Sequence, residues 1–227
     1  MTHVIAYSRQ QCKHLVSRLN KRMDADFVGI NSEEGLNAND LKNIDPGIIF
    51  FPHWSNMIPV EIYEKYECII FHMTDLPYGR GGSPLQNLII RGHKETMISA
   101  LRCVEELDAG PVYLKKHLTL SGSAEEIFAR TDESIEDMIV EILKTNPEPK
   151  PQSGKAVVFK RRKPEDGDWG EAKTLNEVYD YIRMLDAEGY PSAYIRLGKY
   201  KLEFSRAAQK DDAIIAEVKI TKEGNNE

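Results

Sequence analysis

Short apolar runs alternate with amphipathic stretches along the first third of the chain. The apolar runs predict strands over 3–7, 27–30, 47–51 and 68–71, and apolar residues at helical spacing predict helices over 10–22 and 59–66. This alternation of strands and helices is typical of a mostly parallel sheet with helices on its faces. We therefore expect an α/β domain whose ligands bind beyond the carboxyl ends of the strands.

The pattern changes after Pro84. A short helix is predicted over 85–91, and two strands follow over 95–107 and 111–120, with a turn at 108–110 between them. A long helix is predicted to begin near Ser123, which stands three residues before Glu126 as in a capping box. We expect this helix to pack against the sheet.

The C-terminal part has elements of its own after the Pro-rich connection 146–154. A strand is predicted over 156–160, a second capping box at Thr174 and Glu177 opens a helix to Leu185, and 192–204 and 213–220 alternate as antiparallel strands. The last four residues, 224–227, are expected to fray. We divide the chain into a core domain at 1–165 and a small α/β appendage at 166–227.

Composition limits the classes of partner. Lys and Arg number 30 against 36 Asp and Glu, and because affinity for phosphate backbones needs a basic surface, we expect no nucleic-acid partner. Cys12, Cys68 and Cys103 are odd in number and lie in apolar segments, as reduced thiols of a cytosolic protein do. Without a signal peptide or an apolar run of about 18 residues, the sequence predicts a cytoplasmic protein with no membrane partner.

The segment 71–86, FHMTDLPYGRGGSPLQ, has a composition that argues against regular structure. His72 directly follows a buried strand, where an imidazole serves either as a hydrogen-bonded rim residue or as a general acid or base. Asp108 offers it a partner from the turn at 108–110, in which Gly110 permits a positive φ or the close approach of a ligand. The alternative for Asp108 is an ordinary turn aspartate.

Other side chains near the predicted strand ends allow two interpretations each. Arg80, in a Gly-rich loop without the spacing of a phosphate-binding motif, can pair with an anionic ligand or tether two loops. His53 and Trp54 offer flat faces to a ring system or belong to the core. Since no His or Cys pair has metal-ligand spacing, we expect no metal.

The order of these motifs resembles the formyltransferases that use 10-formyltetrahydrofolate. The resemblance runs from about Phe50 to Ala193 and rests on three segments, which are His72 to Gly81 followed by Pro84, then Leu107-Asp108-Ala109-Gly110-Pro111, and then Arg162-Lys163-Pro164-Glu165-Asp166. The abbreviated N-terminal part looks most like the short amino-sugar N-formyltransferases of the pseudaminic-acid type. The residue two before His72 is Ile70, where the family pattern has Asn.

The resemblance implies a Rossmann-like formyltransferase fold, with residues 1–165 as the catalytic core. It implies transfer of a formyl group from 10-formyltetrahydrofolate, the co-substrate, to the amine of a nucleotide-linked amino sugar. It further implies that the catalytic residues are His72 and Asp108. It implies that the cofactor is bound by Pro52, His53, Trp54, Arg80, Gly81 and Leu107, and that the substrate is bound by Tyr78, Gln86 and Asn87.

Several alternatives stay open from the sequence. Ile70 stands where the family pattern has the side-chain amide expected to bind the oxyanion. Either His72 and backbone N–H groups stabilise the oxyanion unaided, or another amide, from Gln86, Asn87 or Asn56, takes its place. The same frame could hydrolyse 10-formyltetrahydrofolate, or bind a metabolite without catalysis. Methionyl-tRNA is disfavoured by the acidic charge and by a C-terminal tail too short for an RNA-binding barrel. The C-terminal strands can pair across a two-fold axis, which would give a homodimer.

Overall fold

The computed structural model describes residues 1–223 of the chain. Its contacts group the residues into two compact units. The first unit comprises 1–81, 96–118 and 130–158, and the second comprises 82–95, 119–129 and the chain from 159 onward. The second unit therefore includes three segments that the sequence analysis placed in the core domain, namely 82–95, 119–129 and 159–165.

Eleven strands and six α-helices are found in residues 1–223. The strands are β1 (Thr2–Ala6), β2 (Asp26–Ile30), β3 (Ile48–Pro52), β4 (Glu67–His72), β5 (Tyr78–Gly81), β6 (Glu95–Arg102), β7 (Val112–Thr119), β8 (Val157–Phe159), β9 (Ala193–Leu197), β10 (Tyr200–Lys210) and β11 (Ala213–Lys222). The helices are α1 (Lys13–Arg22), α2 (Ala38–Ile44), α3 (Val60–Tyr63), α4 (Pro84–Ile90), α5 (Ala124–Thr145) and α6 (Leu175–Leu185).

A six-stranded sheet in the order β2-β1-β3-β4-β6-β7 forms the centre of the first unit. Its strands β1 to β4 pair in parallel, and β4 pairs with β6 in antiparallel fashion. Side chains on both faces are fully buried, as Ile5, Ile49, Phe50 and Ile69 show. Strands covered on both faces read as continuous apolar runs, which is why the sequence predicted them. The expected mostly parallel α/β sheet is confirmed.

Several elements differ from their predicted form. Strand β6 ends at Arg102, where the main chain leaves the sheet and the exposed Glu105 and Glu106 begin a loop. Helix α2 was not predicted, although Asn37 caps it by accepting hydrogen bonds from the N–H groups of Asn39 and Asp40. Helix α3 covers only the middle of the predicted helix 59–66.

The expectation that segment 71–86 has no regular structure was wrong. Strand β5 lies within it and pairs with β8. Gly79 and Gly81 adopt φ values of 81° and 97°, which side-chain-bearing residues rarely do, so the glycines permit an irregular strand here. The pairing strand lies far along the chain, and local composition therefore could not reveal it.

The second unit contains a three-stranded antiparallel sheet, β11-β10-β9, packed against α6. Thr174 caps α6 as predicted, with its Oγ1 accepting a hydrogen bond from the Glu177 N–H at 3.2 Å. Trp169 packs edge-on against Phe204 of β10, with ring centroids 5.0 Å apart. The predicted fraying at 224–227 lies outside the described residues.

A buried arginine stabilises the second unit from within. Arg183 of α6 is 4% exposed, and its Nη1 donates to the carbonyls of Leu120 and Gly122 at 2.5 and 3.1 Å. Its Nε donates to Asp180 at 2.6 Å. The guanidinium thus satisfies carbonyl groups that would otherwise be buried without a donor.

No helix within residues 1–223 is both long enough and apolar enough to cross a membrane. Cys12, Cys68 and Cys103 are free thiols and are buried.

Replacing Arg183 by Met should lower the free energy of unfolding by about 3 kcal/mol, because the change leaves Asp180, the buried Leu120 carbonyl and the partly buried Gly122 carbonyl without their donor. Urea unfolding followed by circular dichroism measures the loss. Arg22→Met is the matched control: Arg22 pairs with Glu136 and Asp137 at the surface, where solvent screens the charges, so its loss should cost much less than that of Arg183. Equal costs for the two variants would contradict the internal role.

The three thiols should react slowly with an alkylating or disulfide reagent in the native protein at pH 7.5. Burial raises the pKa of Cys12, Cys68 and Cys103, and burial together with the nearby Asp108 carboxylate raises that of Cys103 from 9.0 to about 11. A shift of this size makes the Cys103 thiolate roughly 100-fold scarcer at neutral pH. The native reaction rate should climb as pH approaches about 11, whereas urea-unfolded protein should react at all three sites at once.

Candidate functional site

The carboxyl ends of β3 and β4 lie side by side in the first unit. Pro52, the last residue of β3, is paired with Phe71 of β4. His53 follows Pro52 directly and His72 ends β4, so two imidazoles and the adjoining Trp54 lie at the same edge of the sheet. This is the edge at which open parallel sheets bind their ligands.

His72 is held by one short hydrogen bond. The residue is 7% exposed, and Nε2 lies 2.7 Å from the carbonyl oxygen of Gly79. A carbonyl oxygen only accepts, so Nε2 must carry the proton in this contact. The other ring nitrogen, Nδ1, faces Asp108 with a distance of 3.6 Å to Oδ2. That distance is too long for a hydrogen bond, which leaves Nδ1 available to a reacting group.

Asp108 is also buried, at 8% exposure, and its backbone adopts a φ of +53°. Its Oδ2 accepts a hydrogen bond of 2.8 Å from the Gly81 N–H. The sequence analysis gave the positive φ to Gly110, but it belongs to Asp108. Gly110 is required for another reason: a Cβ atom there would stand 1.8 Å from the carbonyl oxygen of Arg102.

One glutamine holds the loop that carries Asp108. Nε2 of Gln152 donates to the carbonyls of Asp108 and Gly110 at 2.8 and 2.9 Å. Its Oε1 accepts from Nε and Nη2 of Arg80 at 3.1 and 2.9 Å. Gln152 lies in the segment that the sequence analysis treated as a plain surface connection. The amide therefore fixes the position of the loop relative to β5.

Arg80 is occupied by protein groups. Besides Gln152, its guanidinium contacts Glu106, with Nη1 2.8 Å from Oε1. Of the two interpretations of Arg80, a ligand for an anion or a tether between loops, these contacts favour the tether. The neighbouring Gly81 contributes its N–H to Asp108, as described above.

His53 belongs to a small polar network. Its Nε2 lies 2.9 Å from Oδ1 of Asp132, and the Cys12 thiol lies 3.8 Å from the same oxygen. The three potential ligand atoms are within 4.8 Å of one another. Because the three residues are far apart along the chain, their spacing gave no sign of this cluster. His53 has a φ of +48°, and its ring contacts Asp132 of α5.

Three other predicted cofactor-binding residues lie around the strand ends. Pro52 is buried at the end of β3, and Leu107 is 53% exposed in the loop before Asp108. Trp54 packs edge-on against Phe51 with ring centroids 5.8 Å apart. Its indole Nε1 is buried and has no hydrogen-bond acceptor among residues 1–223. An acceptor atom on a ligand could satisfy it.

Gln86 and Asn87 lie on α4 in the second unit, and both side chains are buried. Gln86 Nε2 donates to the Met184 carbonyl at 3.1 Å. Asn87 Nδ2 lies within 3.1 Å of the carbonyls of Gly82, Ser83 and Lys160. Their amide N–H groups therefore donate to main-chain carbonyls. A substitute oxyanion donor would need a free N–H group. Tyr78, the third predicted substrate-binding residue, is half-buried on β5 of the first unit.

Ile70 packs into the core. It lies against a buried apolar cluster that includes Phe51 of β3 and Cys68, two positions earlier on the same strand face. Trp54 is packed against this cluster as well. The position at which the family pattern has an amide is therefore part of an apolar wall beside His72.

Sequence reasoning singled out His72, Asp108 and His53 but not two residues that contact this region, Gln152 beside Asp108 and Asp132 beside His53. Gln152 and Asp132 make their contacts across long stretches of chain, and neither stands in a recognisable motif. The only local signal for Gln152 is its place in a Pro-rich segment, where the prolines have no backbone N–H and the side-chain amide is one of few donors. Asp75, the acid nearest His72 in sequence, pairs instead with Lys115 at 2.5 Å.

Family models match most of the chain in two parts. Residues 9–143 match the model described as formyl transferase, and residues 164–221 match the one described as methionyl-tRNA formyltransferase, C-terminal domain. The curated relatives include a methionyl-tRNA formyltransferase from Thermodesulfovibrio yellowstonii, 28% identical over 162 residues, which are 68% of this chain and 52% of that protein. The chain spans about half the length of the curated relatives it matches.

Solved structures cover the chain more fully. One, described as a methionyl-tRNA formyltransferase from Clostridium thermocellum, is 47% identical with a TM-score of 0.95 over 98% of this chain and 99% of that one. HypX from Aquifex aeolicus in complex with tetrahydrofolic acid is 19% identical, with a TM-score of 0.75 over 90% and 37%. A sugar N-formyltransferase from Shewanella sp FDAARGOS_354 is 17% identical, with a TM-score of 0.71 over 93% and 99%.

The two structures below 20% identity share the fold with this chain, and that likeness extends no further. The Clostridium thermocellum structure matches nearly from end to end, and the formyl transferase model alone covers more than half of the residues. The chain therefore belongs to the formyl transferase family.

Proposed function

We propose that the chain transfers a formyl group from 10-formyltetrahydrofolate to a primary amine. The observation that carries the proposal is the buried pair of His72 and Asp108, whose facing atoms, Nδ1 and Oδ2, are 3.6 Å apart. His72 and Asp108 stand in two of the three segments that carry the family resemblance. Family membership supports formyl transfer as the reaction class.

The reaction forms one C–N bond and breaks another. The unprotonated amine attacks the formyl carbon, and the carbonyl oxygen becomes an oxyanion in the tetrahedral intermediate. Collapse of the intermediate breaks the bond from this carbon to N10 of the folate, which takes up a proton as the amine loses one. The products are a formamide and tetrahydrofolate.

The hydrogen bond to Gly79 assigns the two nitrogens of His72. Because Nε2 is engaged by a carbonyl, Nδ1 is the atom that can receive the amine proton and return it to N10. Once protonated, Nδ1–H can also donate to the oxyanion, and the Asp108 carboxylate stabilises the resulting imidazolium. With Ile70 in the apolar wall, the side chain of His72 takes on the oxyanion role that the family assigns in part to Asn.

The folate is proposed to bind beside the carboxyl ends of β3 and β4. The buried indole N–H of Trp54 is a donor suited to an acceptor on the pterin ring, and exposed Leu107 offers apolar surface. Pro52 and His53 would shape the adjoining wall, and Arg80 and Gly81 would act by fixing the Asp108 loop. The tetrahydrofolic acid complex of HypX, which has the same fold, supports a folate ligand.

For the amine we favour a nucleotide-linked amino sugar. Residues 164–221 carry 12 Asp and Glu against 8 Lys and Arg, an acidic balance poorly suited to an RNA backbone. Tyr78 is the side chain that we retain for this substrate, because Gln86 and Asn87 donate to main-chain carbonyls. Methionyl-tRNA is the second candidate, and the 47% identical protein described as a methionyl-tRNA formyltransferase favours it.

A single assay separates these possibilities. Purified protein is mixed with 10-formyltetrahydrofolate and either a panel of nucleotide-linked amino sugars, methionyl-tRNA or no amine, and tetrahydrofolate release is followed. We expect release only with an amino sugar. Release with methionyl-tRNA would identify the second candidate, release without amine would indicate a hydrolase, and folate binding without turnover would indicate a binding module.

His72→Ala and Asp108→Asn should each lower the rate by about 10²–10⁴-fold, because each removes one member of the proton-transfer pair. Exposed His14 and surface-paired Asp75 supply the matched controls, His14→Ala and Asp75→Asn, which should keep near wild-type rates. Folate binding measured by fluorescence quenching shows whether each variant still holds the co-substrate. Near wild-type turnover in both site variants would overturn the assignment.

Gln152→Ala should lower kcat by about 10- to 100-fold and leave KM for the amine little changed, because the loop carrying Asp108 loses its anchor. Gln152→Glu keeps the acceptor for Arg80 but loses both donations, and it should show an intermediate kcat. Gln209→Ala, which removes an exposed amide bonded to Asn176, is the control. If Gln152→Ala changes only the unfolding midpoint, the anchor role for catalysis is wrong.

A further inference from the structure

A buried hydroxyl lies next to His72 in the central sheet. Ser99 of β6 is the residue paired directly with His72 of β4, and it is fully buried. Residues paired across two antiparallel strands project to the same face of the sheet, so the Ser99 side chain and the imidazole share a face. The proton transfers assigned to His72 and Asp108 make no use of this hydroxyl.

The hydroxyl of Ser99 holds the chain that follows His72. Its Oγ donates to the carbonyl of Thr74 at 2.7 Å and accepts from the Leu76 N–H at 3.4 Å. A hydroxyl has one proton to donate, so the first bond fixes its direction and leaves a lone pair for the second. Two main-chain groups of the loop after β4 are thereby attached to a strand of the sheet.

The same loop carries the carbonyl to which His72 is bonded. Thr74 is fully buried, and its Oγ1 donates to the Gly79 carbonyl oxygen at 3.3 Å. This is the oxygen that lies 2.7 Å from Nε2 of His72. A series of hydrogen bonds therefore runs from Ser99 through Thr74 and Gly79 to the imidazole.

The imidazole of His72 has two acceptors available, one for each ring nitrogen. The Gly79 carbonyl faces Nε2, and the Asp108 carboxylate lies 3.6 Å from Nδ1. A neutral imidazole carries one proton, and a carboxylate is a stronger acceptor than a carbonyl. A small displacement of the Gly79 carbonyl would therefore let the proton move to Nδ1, where it would bond to Asp108. That tautomer has no lone pair on Nδ1 to receive the proton of an amine.

We propose that Ser99 is a positioning residue for His72, which holds the Gly79 carbonyl against Nε2 and so keeps the imidazole proton there. Both of its bonds go to main-chain groups, so its effect reaches the imidazole through the loop. Its part in catalysis rests on the proposed formyl transfer, in which a bare Nδ1 receives the amine proton.

The tautomer can be measured without turnover. The chain is labelled with 15N in its six histidines, and a long-range 1H–15N correlation at about pH 8.5, where a free imidazole is neutral, distinguishes a protonated ring nitrogen from a bare one. The signals of His72 are those that His72→Ala lacks. The wild type should carry the proton on Nε2, and Ser99→Ala should carry it mainly on Nδ1. A folded Ser99→Ala protein that keeps the proton on Nε2 would overturn the proposal.

Two further substitutions separate the hydroxyl from packing. Ser99→Thr and Ser99→Val add nearly the same volume, but threonine has a hydroxyl where valine has a methyl group. Ser99→Thr should keep the proton on Nε2 and Ser99→Val should lose it, and the same tautomer in both would contradict the role of the hydroxyl. Thr96→Val on the same strand is the control: Thr96 is 9% exposed, and its Oγ1 lies 3.5 Å from the Met97 carbonyl oxygen, away from the loop. It should leave the tautomer unchanged, and circular dichroism establishes that each variant is folded.

Turnover gives a second readout. Ser99→Ala should lower kcat for formyl transfer by about tenfold or more and leave KM for both substrates little changed, because binding survives while Nδ1 is blocked by a proton. Ser99→Thr should restore kcat. If the wild type transfers no formyl group, the proposed function fails, yet the tautomer measurement still decides whether Ser99 holds the ring. If the wild type is active and Ser99→Ala keeps both its tautomer and its kcat, only the positioning role is wrong.

Discussion

The hydrogen bond between His72 Nε2 and the Gly79 carbonyl governs the proposed chemistry of this chain. It fixes the ring and decides which nitrogen holds a proton before any substrate arrives. The bond requires β4 to end at His72 and the following loop to bring the Gly79 carbonyl back to the ring. Gly79 adopts a positive φ within this loop. The cis peptide bond between Leu76 and Pro77 lies within this return. In this arrangement the Asp108 carboxylate faces Nδ1 of His72.

The sequence determined the parallel sheet well because its strands are buried on both faces and therefore form uninterrupted apolar runs. Val4 to Ala6 and Ile49 to Phe51 needed no information from elsewhere in the chain. Strand β5 and helix α2 were missed for the opposite reason. Strand β5 contains glycines, which are unusual in strands, and its partner β8 comes much later in the chain. Helix α2 is short and depends on the cap at Asn37.

The same distinction explains which site residues were predictable. His72 and Asp108 stand in motifs whose order along this chain carries the family resemblance, so the sequence alone names them as candidates. Gln152 and Asp132 act through contacts that only folding creates, and an amide or a carboxylate in isolation carries no mark of such a contact. Arg80 was found but its partners were not, and the partners determine whether a guanidinium meets a ligand or another loop. Motifs therefore reveal candidate reacting groups more readily than the groups that position them.

The absence of a side chain at position 110 has an evolutionary consequence. A Cβ atom would overlap the carbonyl oxygen of Arg102, which belongs to the sheet itself and has little room to move. Every codon change that adds a side chain there displaces the loop bearing Asp108, so the loop cannot be varied through this position. Diversification within this lineage should concentrate instead where side chains already face solvent, as at Leu107, leaving the loop geometry constant while its rim changes.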